Sequence, residues 1–169
     1  MPQHLPIHVT VALVALALTG SAGAVEVGAD CKRVVDSTEM TLLSDHSTLV
    51  VDGTDSTRSV TMGGQAWVQE GKHWRKSLLT PQQFVRGFRD DVKAAREFTC
   101  KALQDSVIDG MPVTMIATHV VSGNGDSVDS RVAIVKSSGL LLSVVNIPDA
   151  KGTVGREKHY AYDNIRAPT

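Results

Sequence analysis

Thr80-Pro81-Gln82-Gln83-Phe84-Val85-Arg86-Gly87-Phe88-Arg89-Asp90-Asp91-Val92-Lys93-Ala94 is the stretch whose reading decides the fold. Thr80 precedes Pro81, and Gln83 stands three residues after Thr80, so the hydroxyl and the amide can satisfy each other's backbone N–H groups while proline takes the first helical position. A helix therefore starts after Thr80. Phe84, Phe88, Val92 and Ala95 follow at steps of four, four and three, one apolar stripe that predicts packing on a sheet. Asp90 and Asp91 sit among Arg86, Arg89, Lys93 and Arg96 and read as a solvated, ion-paired face.

Immediately upstream, Glu70-Gly71 lies between two β-rich runs. A two-residue loop there would set Gln69 opposite Lys72, Val68 opposite His73 and Trp67 opposite Trp74, with both tryptophans on one face. Such a pair contributes of order 0.2–1 kcal/mol to a sheet and also offers an aromatic wall. Before it, His46 to Asp52 and Arg58 to Met62, separated by Gly53-Thr54-Asp55 and followed by Gly63-Gly64, read as a meander of short strands. Asp30 to about Ser44 carries Val34, Val35, Leu42 and Leu43 at helical spacing, with Asp30 as the expected cap.

Downstream of Phe98 every signal is strand and turn. Asp109-Gly110 predicts a two-residue hairpin that pairs Ile108 with Met111. Continued without interruption, that register sets Cys100 level with His119, on the face of Met111, Val113, Met115 and Ala117. Ser122 to Asp126 and Ser137-Ser138-Gly139 are further turns, with Val128, Val132 and Ile134 pointing inward between them. Leu140 to Val145 is apolar on both parities and wants cover on both faces. Thr153 to Ile165, with Val154, Tyr160 and Tyr162 on one parity and Glu157, His159 and Asp163 on the other, is expected to close the sheet.

Cys31 and Cys100 are the two cysteines of the chain. An even, minimal pair fits a structural disulfide in an oxidising compartment better than a metal site, which needs three or four close ligands. The amino terminus agrees. No Lys, Arg, Asp or Glu precedes Glu26, Val9 to Leu18 is too short to span a bilayer, and Ala22-Gly23-Ala24 has the small residues of a cleavage site. Residues 1–24 read as a signal peptide and residues 25–169 as a single α+β domain, periplasmic or secreted; Asp30 before Cys31 does not fit a lipid-attachment site.

The whole chain has 169 residues with 17 Lys+Arg against 18 Asp+Glu, a balance that argues against nucleic acid as a partner. Aromatics are scarce, with three Phe, two Trp and two Tyr. No nucleophile elbow, phosphate loop, zinc helix motif, dinucleotide fingerprint or C-x-x-C occurs. His46, His73, His119 and His159 fall on separate strands and read as surface residues, and Asp126 and Asp129 lack the spacing of a calcium loop. No catalytic residue, cofactor or metal is indicated, and the reading is non-enzymatic.

The order of parts, with an amino-terminal helix, Trp67-x6-Trp74, the helix after Thr80, Cys100, long hairpins and the ending Tyr160-Ala-Tyr-Asp-Asn-Ile-Arg-Ala-Pro168, resembles periplasmic proteins related to the lipoprotein carrier LolA and the LppX-type lipid-binding lipoproteins. The resemblance implies a curved antiparallel sheet, a half-barrel, with two helices packed on its concave face. In the carriers that hollow shelters acyl chains. The residues expected to line such a cavity are Trp67, Trp74, Met111, Met115, Leu141, Val145, Tyr160 and Tyr162, and each methylene buried there is worth about 0.8 kcal/mol. The expected partner is a lipid or acyl chain. The alternative is a small secreted envelope protein that acts by contact with another protein, as an assembly factor or enzyme inhibitor.

Overall fold

The computed structural model describes residues 28–148 and 155–168; the expected signal peptide lies outside them. Among the described residues the chain runs α1 (Ala29–Leu43), β1 (His46–Asp52), β2 (Asp55–Met62), β3 (Gln65–Glu70), β4 (His73–Lys76), α2 (Pro81–Ala94), β5 (Glu97–Ala102), β6 (Ser106–Ile108), β7 (Met111–Val121), β8 (Ser127–Val135), β9 (Leu141–Ile147) and β10 (Arg156–Ala161). All ten strands form one antiparallel sheet, ordered β4-β3-β2-β1-β10-β9-β8-β7-β5, with β6 also on β7. The sheet is curved and unclosed, and the two helices lie on its concave face, the fold class expected. α2 connects the two edge strands, β4 and β5.

Locally determined features fall where the sequence puts them. Thr80 and Gln83 form the reciprocal capping box, with Thr80 N–H donating to Gln83 Oε1 at 2.8 Å and Gln83 N–H to Thr80 Oγ1 at 3.3 Å. Asp109 and Gly110 both have positive φ, 50° and 78°, and Ile108 pairs with Met111.

The tryptophan hairpin differs. Its loop is Gly71-Lys72, so Trp67 faces Lys76 and Gln69 faces Trp74. The reason is the turn: Gly71 takes φ +61° at the first loop position, whereas the expected Glu70-Gly71 loop would have put a glutamate there. Sliding the loop by one residue moves the register by two, so the tryptophans keep a common face but are not directly opposite.

A second difference changes a face. β5 pairs Cys100 with Thr118, one residue off the level of His119, because residues 103–105 interrupt the ladder between β5 and β6. Strand side chains alternate with period two, so that single step turns Cys100 to the other side of the sheet, with Phe98, Ile116 and Thr118. That is the α1 side, and the Cys31–Cys100 disulfide forms there with Cα atoms 5.1 Å apart.

Asp30 does not cap α1. Gly28 occupies the cap position, and the Asp30 carboxylate instead accepts the Ala102 N–H at 3.0 Å, adding a second tie from α1 to β5. On α2 the buried positions are Pro81 and Val85 rather than Phe84, which is 36% exposed, and α2 packs chiefly on α1. Val128 is exposed near the β7–β8 turn, while Val132 and Ile134 are buried. β10 is an interior strand between β1 and β9, joining the two halves of the sheet.

The main core lies between α1 and the sheet: Cys31 and Val34 against Phe98, Ile116, Val132, Ile134 and Leu141. Each such side chain, fully buried, contributes roughly 1.5–3 kcal/mol. Val113, Ala133, Val135 and Leu142 form a second cluster on the opposite face, so Leu140–Val145 is indeed covered on both sides. The irregularity between Ala133 and Ile134 lets Leu141 and Val144 reach the same cluster despite their spacing of three.

Candidate functional site

α1 is seated at both ends. Its first turn carries the disulfide and the Asp30 bond. Near its last turn Thr41, fully buried, accepts the Leu141 N–H at 2.9 Å and lies 3.2 Å from the Tyr162 hydroxyl, which donates to the Leu141 carbonyl at 2.6 Å. The tyrosine proton is spent on Leu141, so Thr41 donates to the tyrosine oxygen. His46 closes this cluster with ring centroids 5.7 Å from Tyr160 and 6.3 Å from Tyr162, and its Nδ1–H donates to Ser44 O at 2.8 Å. Burial holds the His46 pKa below the ordinary histidine value and pushes the Tyr160 hydroxyl up to about 12. His46 was expected at the surface; instead it is 4% exposed.

α2 is held by fewer ties. A bidentate Arg89–Glu39 pair, at 2.6 and 2.5 Å, links it to α1, and Arg89 holds the Glu39 carboxyl below its usual range. Between the last turns of α2 and the β5–β7 end of the sheet an apolar cleft of about 440 Å³ opens. Phe88, Val92 and Ala95 form one wall and Phe98 and Val120 the other. Gly123 sits at its end, where an added Cβ would stand 3.3 Å from the Ala94 carbonyl, so the β7–β8 turn approaches α2 closely and a side chain there would be a tight fit.

Two other concavities differ in character. A groove of about 730 Å³ along α1 presents Lys32, Arg33, Asp36 and Lys136 beside Met40 and Ile134, with Lys32 paired to Asp36 and Lys136 to Asp105. A third, of about 380 Å³, lies where the β6–β7 turn meets the end of β10 and brings together Met111, Leu142, Tyr160 and Tyr162.

The eight residues expected to line a cavity do not form one wall. By register, Trp67, Trp74, Met115 and Val145 lie on the face opposite the helices, whereas Leu141 and Tyr160 pack into the core beneath α1. Met111 and Tyr162 meet Tyr160 only at the third concavity. The residues of the apolar cleft, Phe88, Val92, Phe98 and Val120, were legible as apolar positions, but nothing local shows that α2 and β7 leave space between them. His119 pairs with Asp129 at 2.8 Å and His159 with Glu157 at 3.0 Å, both exposed. Among the described residues no group of three or more His, Cys, Asp or Glu could hold a metal, and no helix is long and apolar enough to cross a membrane.

No family model matches the chain, and no curated protein matches it. Solved structures do. The chain is similar to two mycobacterial proteins and one from a vibrio. The lipoprotein LppX of Mycobacterium tuberculosis aligns over 83% of this chain and 97% of its own, at 11% identity and TM-score 0.49. LprF of Mycobacterium bovis aligns over 82% and 93%, at 12% and 0.48. An outer-membrane lipoprotein-sorting protein domain from Vibrio parahaemolyticus aligns over 79% and 91%, at 10% and 0.35.

Proposed function

We propose that this chain is an exported, non-enzymatic protein that binds a hydrophobic ligand, of the acyl-chain class, in the cleft between α2 and the β5–β7 end of the sheet. The observation that carries this reading is the cleft itself. Its walls are mainly aliphatic and aromatic, with Asp91 and Ser122 as the polar members, its volume falls within the roughly 300–1,000 Å³ typical of small-ligand sites, and the chain's own side chains leave it open. A dry core would have closed it, since an unfilled apolar void forfeits dispersion contacts along its whole lining. The Cys31–Cys100 bridge supports an oxidising compartment.

A long-chain fluorescent fatty acid should bind with a dissociation constant of roughly 1–100 μM, in the range expected for partial burial of one chain. Ala94→Trp, at an exposed position of the lining, should weaken binding at least tenfold by occupying the cleft, whereas Lys93→Trp, outside it, should leave binding unchanged. A wild-type chain that takes up no probe and carries no lipid in native mass spectrometry would overturn the reading, as would equal affinities for both variants.

A further inference from the structure

The opposite end of α2 carries a different feature. Leu78, in the segment between β4 and α2, is 99% exposed, Leu79 is 47% exposed and Phe84 on the first turns of α2 is 36% exposed. This exposure is built rather than loose. Ser77 N–H donates to Ala66 O at 2.8 Å, Leu79 N–H donates to Ser77 Oγ at 3.1 Å, and Thr80 is locked in its capping box, so the backbone on both sides of Leu78 is fixed while its side chain stands out. A leucine left in water forgoes the roughly 1.5–3 kcal/mol that burial gives Leu141 in the core.

The charge is also segregated along the sequence. From Gly71 to Arg89 the chain has Lys72, Arg75, Lys76, Arg86 and Arg89 and no Asp or Glu, although acids and bases balance over the whole sequence. Arg75 is bridged to Glu70 and Arg89 to Glu39. Lys72, Lys76 and Arg86 are exposed and appear in no ion pair among the described residues.

We propose that this end of the molecule docks on an anionic lipid surface, with Leu78, Leu79 and Phe84 entering the boundary between headgroups and acyl chains and Lys76 and Arg86 at the level of the phosphates. Exposed apolar side chains with cations two residues away, Lys76 from Leu78 and Arg86 from Phe84, supply what interfacial binding uses, apolar insertion plus attraction to anionic lipid. Three protruding side chains are too small an area for a stable protein interface, which needs on the order of 1,000 Å². A bilayer needs no complementary pocket. The inference is independent of the ligand cleft, which lies at the other end of the 14-residue helix.

The test places a reporter at the tip. The chain as isolated, with Trp67→Phe and Trp74→Phe, receives either Leu78→Trp or, as a control at the far end of α2, Asn124→Trp. Each is titrated with phosphatidylglycerol and with phosphatidylcholine vesicles, with and without brominated acyl chains. Residues 1–27 contain no tryptophan, so any retained amino-terminal segment leaves the signal of these reporters specific to their own positions. The expected result is a blue shift and bromine quenching at position 78 with anionic vesicles only, and none at position 124. Replacing Lys76 and Arg86 by Gln should weaken the anionic-vesicle response roughly 25-fold at low salt, about fivefold per cation. Circular dichroism and thermal melting confirm that each variant folds. No shift at position 78, equal response to both lipids, equal quenching at position 124, or saturable binding of acidic polypeptide in place of vesicles would each overturn the proposal.

Discussion

Replacing Thr41 by Val keeps the shape of a fully buried side chain and removes only its hydroxyl. In the native chain that oxygen accepts the Leu141 N–H at 2.9 Å and donates to Tyr162, whose own proton goes to the Leu141 carbonyl. Thr41 is fully buried and Leu141 is 1% exposed, so water does not replace the lost acceptor. Stranding a buried N–H costs roughly 1–3 kcal/mol, and the neighbouring Tyr162 bond survives, so Thr41→Val should destabilise the fold by about 2 kcal/mol. In a domain of this size that lowers the melting temperature by roughly 5–8 °C. Thr41→Ser keeps the hydroxyl and loses one methyl, about 1 kcal/mol. The assay is urea unfolding followed by far-UV circular dichroism, on both variants, on Tyr162→Phe and on the Thr41→Val/Tyr162→Phe pair. Because the two side chains share one network, the paired variant should cost less than the sum of the singles by at least about 0.5 kcal/mol. A Val variant as stable as wild type, a Ser variant worse than Val, or strictly additive costs would refute the view that this triangle seats the end of α1 on β9.

Converting Cys31 and Cys100 to Ala, or reducing the bridge, should remove roughly 4 kcal/mol through the freed 69-residue separation, seen as a lower urea midpoint; a loss under about 1 kcal/mol would show that the bridge is not a structural tie. His46 gives a pH signature. Burial lowers its folded pKa, so the unfolded chain binds its proton first, and stability should decline as pH falls below about 6.5 and level off below the folded value. The Glu39 contribution has the same sign but sets in only below its ordinary value of 4.5, so the two separate along the pH axis. His46→Phe, which keeps an aromatic ring beside Tyr160 and Tyr162, should flatten the melting-temperature profile between pH 7 and 5; an unchanged slope would count against this assignment.

What the sequence determined by itself were features whose causes lie within about four residues. The capping box at Thr80 and the paired left-handed residues of Asp109-Gly110 are local energy minima, and they stand where they were expected. The disulfide followed from there being two cysteines. Face assignments needed more. Strand side chains alternate with period two, so the interruption at residues 103–105 was enough to carry Cys100 to the opposite side of the sheet, and no local signal marks such a step. The glycine at the first position of the Gly71-Lys72 turn was legible, yet two loops were compatible with it, and the backbone conformation chose between them. Only the tertiary structure decided that β10 runs through the middle of the sheet, that α2 rests on α1, and that Phe88, Val92, Phe98 and Val120 surround an open cleft while Leu78 stands in solvent. An apolar residue in a sequence declares only that burial would favour it. Whether it meets a core, an unfilled cleft or water is set by segments far along the chain that the same residue cannot specify.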